Sequence, residues 1–333
     1  MAILRYRGLP AGHDVLSPFT ARDGTCDTWG WQMINLRDAI RIELDRERRR
    51  QELLQVGREL RLAWTLGKTT LYKYMSLADH ERRDRVLDVL RNCRVYLSAP
   101  SQLNDSADCR PRFELARPLS DPDFVRELQA DEERMIAEER LTADEVDLLR
   151  AQYGVTPERL AEGVTENTRR ELESKTRIYC LSARNTDSGM WGLYAGLNGV
   201  CLHFACHSGT VFGNARGVVY SPKREPILIP IKYNNPDDIA DRMAFIKGER
   251  WQGEEEYRLV AFGDSLGEDT PLLAEHFVGF APPDLTGITF GMNIDPGHRK
   301  LLLDAIAAHP TPVLVFEAVE GAGFDIEVRP VIP

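Results

Sequence analysis

The sequence has no pair of cysteines spaced as C-x-x-C, the spacing that many structural zinc sites use. Its six cysteines are Cys26, Cys93, Cys109, Cys180, Cys201 and Cys206. This scatter predicts reduced thiols, with no metal expected. The densest group of potential ligands, around Cys201 and His203, falls in the alternating apolar run GVCLHFAC. Buried cysteine and a hydrogen-bonded core histidine are the expected states there.

Nucleotide-binding loops and long apolar runs are missing as well. No G-x-G-x-x-G follows a predicted strand and no Walker-type loop occurs, which argues against Rossmann and P-loop chemistry. No apolar run approaches the roughly 18 residues of a membrane span, and the first residues lack the apolar core of a signal peptide. We therefore expect a cytoplasmic protein without a membrane partner.

Positive charge is scarce, since the net charge is −10 and the isoelectric point is near 5.3. This balance argues against a broad nucleic-acid surface, although it leaves room for a local basic patch. A small molecule or another protein is the partner that the composition favours. The chain has 333 residues, of which 43% are hydrophobic, so a substantial core is expected.

The order of predicted elements divides the chain into two parts. Residues 1–66 predict an irregular arm and a long helix, an N-terminal helical extension, and residues 67–333 predict a single domain of catalytic type. Inside that domain, residues at about 111–176 carry acidic helical patterns and predict a helical insertion. Many short strands follow from Arg177, with helices between them. This order predicts an α+β fold with a largely antiparallel sheet.

The segment KGERWQGEEEYRLVAF, residues 247–262, concentrates chemical groups. Its second half alternates like a strand, so Glu254, Glu256 and Arg258 are predicted to project from one face. Two acids on one face fit two arrangements. They belong either to a structural ion network with Arg258 and another cation, or to a cleft where one acid does acid, base or electrostatic work.

Four segments together resemble a bacterial family known as domain of unknown function 2971. They are LYKYMSL, YLSAPSQLNDSADC, IYCLSARNTDSGMWGLYAGLNGVCLHF and WQGEEEYRLV, and the resemblance covers residues from about 70 to 333. The loop LNDSADC departs from the family pattern, because Leu103, Ser106 and Ala107 replace two aromatics and a proline. The arm and the first long helix lie outside the resemblance.

The order of these motifs is also similar to that of ADP-ribosyltransferases, whose core is a split, largely antiparallel sheet. The resemblance places Tyr72 or Lys73 at the first cofactor-binding position, Ser182 at the second, and Glu254 with Glu256 at the third. That superfamily usually has Arg or His first, and Lys73 is a partial substitute. NAD as ADP-ribose donor is the cofactor that this similarity implies.

The resemblance implies a role for each of these side chains. Glu256 stabilises the oxocarbenium-like state and holds a ribose hydroxyl, Glu254 orients or deprotonates the acceptor, and Ser182 holds Glu256. Trp191 or Tyr194 stacks on a flat ring, and Lys73 or Arg258 meets a pyrophosphate. Replacing Glu256 by Gln is then expected to remove activity and leave folding nearly intact.

Most of these residues also fit a purely structural role. Trp191 and Tyr194 have the spacing of core-facing helix residues, and Arg258 has Glu254 and Glu256 as its own neighbours. If four acids of the motifs converge, they predict the divalent-metal site of a nuclease or phosphodiesterase. These acids are Asp105, Asp108, Glu254 and Glu256. A non-catalytic interaction protein, with phage defence as its context, is the third class of function.

Overall fold

The computed structural model describes residues 60–137, 157–229, 236–263, 276–323 and 325–331, with a few shorter pieces between them. The predicted arm and nearly all of the predicted first helix lie outside these residues. The end of that predicted helix is different from the expectation, because residues 61–67 form turns with a single bridge from Leu62 to Arg216. The described residues from Arg61 onward belong to one unit.

This unit is a mixed α+β structure. Its described strands are β1 Thr70–Met75, β2 Arg94–Tyr96, β3 Phe113–Leu115, β4 Thr176–Ser182, β5 Val200–Ala205, β6 Arg216–Gly217, β7 Val219–Ser221, β8 Ile227–Ile229, β9 Ile246–Gly248, β10 Glu256–Phe262, β11 Ser265–Leu266, β12 Thr270–Pro271, β13 Phe277–Gly279, β14 Leu285–Phe290, β15 Leu314–Glu320 and β16 Ile326–Pro330. The described helices are α1 His80–Asn92, α2 Pro122–Ala137, α3 Pro157–Lys175, α4 Ser188–Met190, α5 Pro236–Ala244 and α6 Pro296–Ala307.

Most of the described strands form one sheet, in the order β12, β11, β10, β4, β1, β5, β14, β15, β16, with β6 paired to β10. Neighbours in this sheet are antiparallel except β14 and β15, which are parallel. The prediction of an α+β fold with a largely antiparallel sheet is therefore confirmed. None of the described helices has both the length and the apolar character to cross a bilayer.

The sheet has a weak joint between β1 and β4. These strands share a single register pair, Tyr72 with Ser182, whereas β1 and β5 share a ladder of six pairs and β4 and β10 a ladder of seven. The ammonium of Lys73 lies 2.8 Å from the carbonyl oxygen of Cys180. A lysine side chain therefore satisfies a strand carbonyl where the ladder between β1 and β4 is short.

Local sequence explains the elements around this joint. Helix α1 begins where the carboxylate of Asp79 accepts a hydrogen bond of 2.8 Å from the backbone N–H of Arg82, and it ends at Cys93, whose φ is 48°. Along β1 the side chains alternate. Leu71 joins the large core cluster, which also contains Leu181 and Phe204, while Tyr74 packs with Trp191 on the opposite face.

The segment predicted as a helical insertion contains more than helices. Helices α2 and α3 are present as expected, and the stretch between them lies mostly outside the described residues. However, Phe113 to Leu115 form strand β3, which pairs in parallel with β8. The amide of Phe113 also donates a hydrogen bond of 3.1 Å to the hydroxyl of Thr165 on α3. The pairing with β8 thus ties the first part of the insertion to the rest of the unit, and the bond to Thr165 joins that part to α3.

Candidate functional site

The two acids predicted for the site, Glu254 and Glu256, belong to different elements. Glu256 is the first residue of β10, but Glu254 is the last residue of a 3-10 turn, Glu249–Glu254. Glu255 between them has a left-handed backbone with φ of 41°. The prediction that Glu254 shares a strand face with Glu256 and Arg258 is therefore wrong, because the 3-10 turn ends before the strand begins and only Glu256 and Arg258 belong to the strand. The two carboxylates still come together, because both reach the same cation.

That cation is Lys247, at the centre of β9. Its ammonium lies 2.5 Å from Oε2 of Glu254 and 2.9 Å from Oε2 of Glu256. The ring centroid of Trp251 is 5.1 Å from the same nitrogen, a cation–π contact that covers the ammonium. Only 5% of the lysine side chain is exposed. Lys247 therefore joins the two acids into one buried cluster.

Arg258 is the second cation of the cluster, and its side chain is fully buried. Its Nε donates to Glu256 Oε1 at 2.7 Å, and its Nη1 and Nη2 donate to the two carboxylate oxygens of Asp108 at 2.9 and 2.5 Å. The remaining N–H groups reach the carbonyl of Ala244 at 2.6 Å and Glu256 Oε2 at 3.0 Å. All five guanidinium donors are thus used inside the protein.

The cluster holds three carboxylates, Asp108, Glu254 and Glu256, against two cations. Burial raises the pKa of Glu254 above its ordinary value, and Lys247 and Tyr194 only partly offset this effect. Burial acts in the same direction on Glu256, but the charges and hydrogen bonds of Arg258 and Lys247 outweigh it and hold the pKa of Glu256 far below the usual range. Neighbouring acids whose pKa values move apart are suited to different roles.

Three of the motif residues lie in one row across the sheet. Tyr72 on β1 is the register partner of Ser182 on β4, which is the register partner of Glu256 on β10. Cross-strand partners point to the same face of a sheet, so these side chains are neighbours. His203 on β5 continues the row beyond Tyr72. The row crosses the joint between β1 and β4.

Comparisons with protein-family models, curated proteins and solved structures found no match to this chain. The geometry of the described residues therefore carries the assignment of roles.

Ser182 has a different partner from the one that the resemblance implied. Its hydroxyl donates a hydrogen bond of 2.7 Å to the backbone carbonyl of Glu254 and accepts one of 3.1 Å from the amide of Arg184. It therefore positions the turn that carries Glu254, and it does not hold the carboxylate of Glu256. The amide of Glu256 is bound instead by the hydroxyl of Tyr220, at 2.8 Å.

Tyr72 and Lys73, the two candidates for the first position, occupy opposite faces of β1. Tyr72 is half-buried on the face of Ser182 and Glu256. Lys73 points the other way, with its ammonium against the carbonyl of Cys180 and 4.6 Å from the ring centroid of Tyr179. Burial lowers the pKa of Lys73. Lys73 is therefore part of the structural joint, and the assignment of this side chain to a pyrophosphate is wrong.

Trp191 and Tyr194 also differ in their surroundings, although they are only three residues apart. Trp191 has no exposed surface, and its indole nitrogen donates to the carbonyl of Asn185 at 2.9 Å. It packs edge-on against Tyr74 as a core residue, so the predicted stacking on a ligand ring is wrong for Trp191. Tyr194, in the π-helical turn that follows α4, is half-buried and donates a hydrogen bond of 2.6 Å to Oε1 of Glu254.

Arg258 is also committed to the protein, which agrees with its predicted pairing with neighbouring acids and excludes a pyrophosphate contact. Asp105, the remaining acid of the metal hypothesis, pairs with Arg250 at 3.1 Å. Among the described residues, no group of three or more His, Cys, Asp or Glu side chains is arranged to hold a metal ion. The acids of the motifs do converge, but on Lys247 and Arg258.

His203 is the hydrogen-bonded core histidine that the sequence predicts. It is buried, shares a hydrogen bond of 2.7 Å with the hydroxyl of Thr289, and stacks on Phe316 at 5.0 Å between ring centroids. Sequence reasoning missed two features of the site, the hydroxyl of Tyr220 and the pairing of Asp108 with Arg258. Neither partner stands near the other along the chain, so no local pattern could have indicated them.

Proposed function

We propose that this protein cleaves the bond between nicotinamide and ribose in NAD and transfers ADP-ribose to an acceptor or to water. The observation that supports this function is the row of Tyr72, Ser182 and Glu256 on three neighbouring strands. These are the strands on which the resemblance to ADP-ribosyltransferases places its three motifs.

The charge balance of the cluster suits this reaction. The bond from C1′ of the ribose to the nicotinamide nitrogen breaks, and its electron pair leaves with neutral nicotinamide. Positive charge then develops on the ribose, and a carboxylate cluster with one excess negative charge stabilises that charge. Glu256 supplies a carboxylate that stays ionised, because Arg258 and Lys247 lower its pKa.

Glu254 is the acid that we assign to the acceptor. An acceptor O–H adds to C1′ and loses its proton to this carboxylate, which completes the balance of the reaction. Glu254 is the more exposed of the pair, with 9% of its side chain accessible against 4% for Glu256. Burial raises its pKa, and a base with a pKa closer to neutrality transfers protons more efficiently. Tyr194 orients it, and Ser182 fixes its turn.

Tyr72 is the residue that we assign to a flat ring of the substrate. It is half-buried and stands beside Ser182, and its ring contacts His203 edge-on with a centroid distance of 5.0 Å. The ring is therefore fixed on one edge and retains some exposed surface. Tyr74 and Trp191 form a buried cluster on the same face of the sheet, and Tyr72 packs against it.

The test is release of nicotinamide from NAD by the purified protein. Glu254→Gln is expected to lower the rate by about 10²- to 10⁴-fold, the usual loss when a general base is removed. The matched control is Glu255→Gln, because Glu255 is the next residue along, pairs with Arg184 at 2.6 Å, and is partly exposed. No release above a protein-free blank, or equal rates for the two variants, contradicts the proposal.

The same preparation separates the remaining classes of function. Cleavage of nucleic acid that requires a divalent metal, with NAD left intact, would support the phosphodiesterase hypothesis instead. Absence of turnover with either substrate, together with a stable bound protein, would support the interaction hypothesis.

A further inference from the structure

Three hydroxyl groups of the described residues bond to Glu254 or Glu256, and they differ in where their protons go. Tyr194 donates to Oε1 of Glu254 at 2.6 Å, and Ser182 donates to the backbone carbonyl of Glu254 at 2.7 Å. Tyr220 instead accepts, since its oxygen receives the backbone N–H of Glu256 at 2.8 Å. The proton of Tyr220 meets no acceptor within hydrogen-bond distance among the residues that the structure describes. Of these three hydroxyls, Tyr220 is therefore the one that still has a donor to offer.

The backbone around this hydroxyl fixes its position. Tyr220 lies at the centre of β7 and is the register partner of Lys247 on β9, so the two side chains point to the same face. The amide of Val218 donates a hydrogen bond of 2.9 Å to the carbonyl of Glu256. Residues 218 and 220 thus hold the backbone of Glu256 through both its carbonyl and its amide. The oxygen of Tyr220 is held at the first residue of β10, beside the carboxylates.

The hydroxyl of Tyr220 keeps its proton in this environment. Burial raises the pKa of Tyr220 above its ordinary value. The hydrogen bond from the amide of Glu256 acts against this effect, and the negative charges of Glu256 and Glu254 add to it. At neutral pH the group is therefore a hydrogen-bond donor and not a base. Tyr220 is only half-buried, so part of its surface is open to a bound molecule.

A donor beside carboxylates determines which chemical group fits between them. Glu254 accepts hydrogen bonds from Tyr194 and Lys247, and a carboxylate has capacity for about four. A phosphate oxygen only accepts hydrogen bonds and an ammonium only donates them, whereas a hydroxyl does both. A hydroxyl group therefore satisfies the phenol and a carboxylate at the same time. A ribose carries such hydroxyls on neighbouring carbons.

We propose that Tyr220 binds a ribose hydroxyl of the substrate and so selects a ribose over a deoxyribose. This inference rests on the proposed function, in which the ribose stands beside Glu256 when its bond to nicotinamide breaks. Tyr220 donates to the oxygen of the hydroxyl, and the hydroxyl donates its own proton to a neighbouring carboxylate. A site built to hydrogen-bond a hydroxyl rejects a compound that lacks it, because the polar groups of the site then have no partner.

The test compares NAD with analogues whose nicotinamide ribose lacks the 2′ or the 3′ hydroxyl. Affinities are measured on the full chain by rapid mixing, from the change in tryptophan fluorescence, so that binding is recorded before turnover. The wild type is expected to bind at least one analogue about tenfold more weakly than NAD, the order of magnitude of one hydrogen bond. Tyr220→Phe is expected to weaken NAD binding by about the same factor and to leave the affinity for that analogue nearly unchanged.

The preference for NAD over the analogue separates substrate binding from a structural role. Loss of the bond from the amide of Glu256 weakens the binding of both compounds alike, whereas loss of the bond to the ribose weakens NAD binding alone. Tyr96→Phe is the matched control, because Tyr96 is also half-buried and its hydroxyl donates to Gln102 at 3.4 Å. This variant is expected to keep the wild-type preference.

Equal affinity of the wild type for NAD and both analogues overturns the proposal, even if Tyr220→Phe does not fold. A preference that is unchanged in Tyr220→Phe overturns it as well. Nicotinamide release by a protein without this preference would reject the role of Tyr220 alone. Binding of NAD with the preference but without nicotinamide release would reject the proposed function alone, and absence of NAD binding would reject both.

Discussion

Asp108 and Arg258 form a two-pronged ion pair in which both carboxylate oxygens accept hydrogen bonds from the guanidinium, and 150 residues separate the two along the chain. At most 2% of either side chain is exposed. This pair attaches the loop after β2 to strand β10. It makes the loop part of the cluster and therefore part of the candidate site.

Replacing Asp108 by Ala is expected to lower the free energy of unfolding by about 3 to 5 kcal/mol, because the change leaves a buried guanidinium without its partner. Urea denaturation measures this loss. Asp304→Ala is the control, since Asp304 makes an exposed pair with Lys300 at 2.8 Å and such pairs contribute about 0 to 1 kcal/mol. Equal losses in the two variants would show that the buried pair contributes no more to the free energy of unfolding than an exposed pair does.

Glu256→Gln is expected to lower the free energy of unfolding by about 3 kcal/mol, because Lys247 and Arg258 both lose a buried charge partner. The same change is expected to lower activity. This revises the expectation from the sequence that the isosteric change leaves folding nearly intact. A melting curve and a rate of nicotinamide release are to be measured on the same sample. An unchanged melting temperature would mean that the cations find new partners.

The contribution of Glu256 to stability depends on pH. Its pKa is lower in the folded protein than in the unfolded chain, so its contribution is present above the unfolded value near 4.5 and is lost as the pH falls below that value. Glu256→Gln is therefore expected to flatten the acid side of the stability profile. If the stability of the variant falls as steeply at acid pH as that of the wild type, groups other than Glu256 cause this fall.

Tyr194→Phe is expected to raise the pKa of Glu254 further, because the hydrogen bond from the tyrosine hydroxyl favours the ionised carboxylate. Carbon-13 NMR of the glutamate carboxyl groups measures this shift without any assay of activity. If Glu254 is the base, the acid side of the rate profile moves to higher pH by the same amount. Tyr96→Phe is the control, and a shift of equal size there would remove the specific role of Tyr194.

His203→Gln is expected to change the pH dependence of folding. Burial lowers the pKa of His203 from 6.5 to about 4. The histidine therefore stabilises the folded protein fully above about pH 6.5, and this contribution is lost as the pH falls towards 4. The loss amounts to about 3 kcal/mol over that interval. Urea denaturation at several pH values should show a shallower slope in the variant, whereas exposed His80→Gln should retain the wild-type slope.

Local patterns were enough to predict the class of the fold. Many short strands from Arg177 onward, with helices between them, indicate an α+β fold with a largely antiparallel sheet. Strand β3 was missed because its three residues lie among helical patterns, and its pairing with β8 depends on residues more than one hundred positions away.

The sequence predicts which residues belong to the site better than it predicts which residues they contact. Glu254 and Glu256 were placed together, but the left-handed Glu255 that separates their elements has no signal in a run of three glutamates. For Arg258 and Trp191 a ligand contact and a structural role both stayed open, because nothing along the chain reveals burial by Asp108 or by Tyr74. Such contacts are fixed by packing between distant elements, which periodicity does not encode.

The lysine between β1 and β4 has a mechanical consequence. Main-chain ladders join β1 to β5 and β4 to β10, but β1 and β4 meet through one register pair, the ammonium of Lys73 and the hydroxyl of Tyr74, which donates to the carbonyl of Arg184 at 3.0 Å. The spacing between these two strands therefore depends on side chains as much as on the backbone. Changing Lys73 to a shorter or neutral residue would alter that spacing while leaving the ladders on either side paired as before.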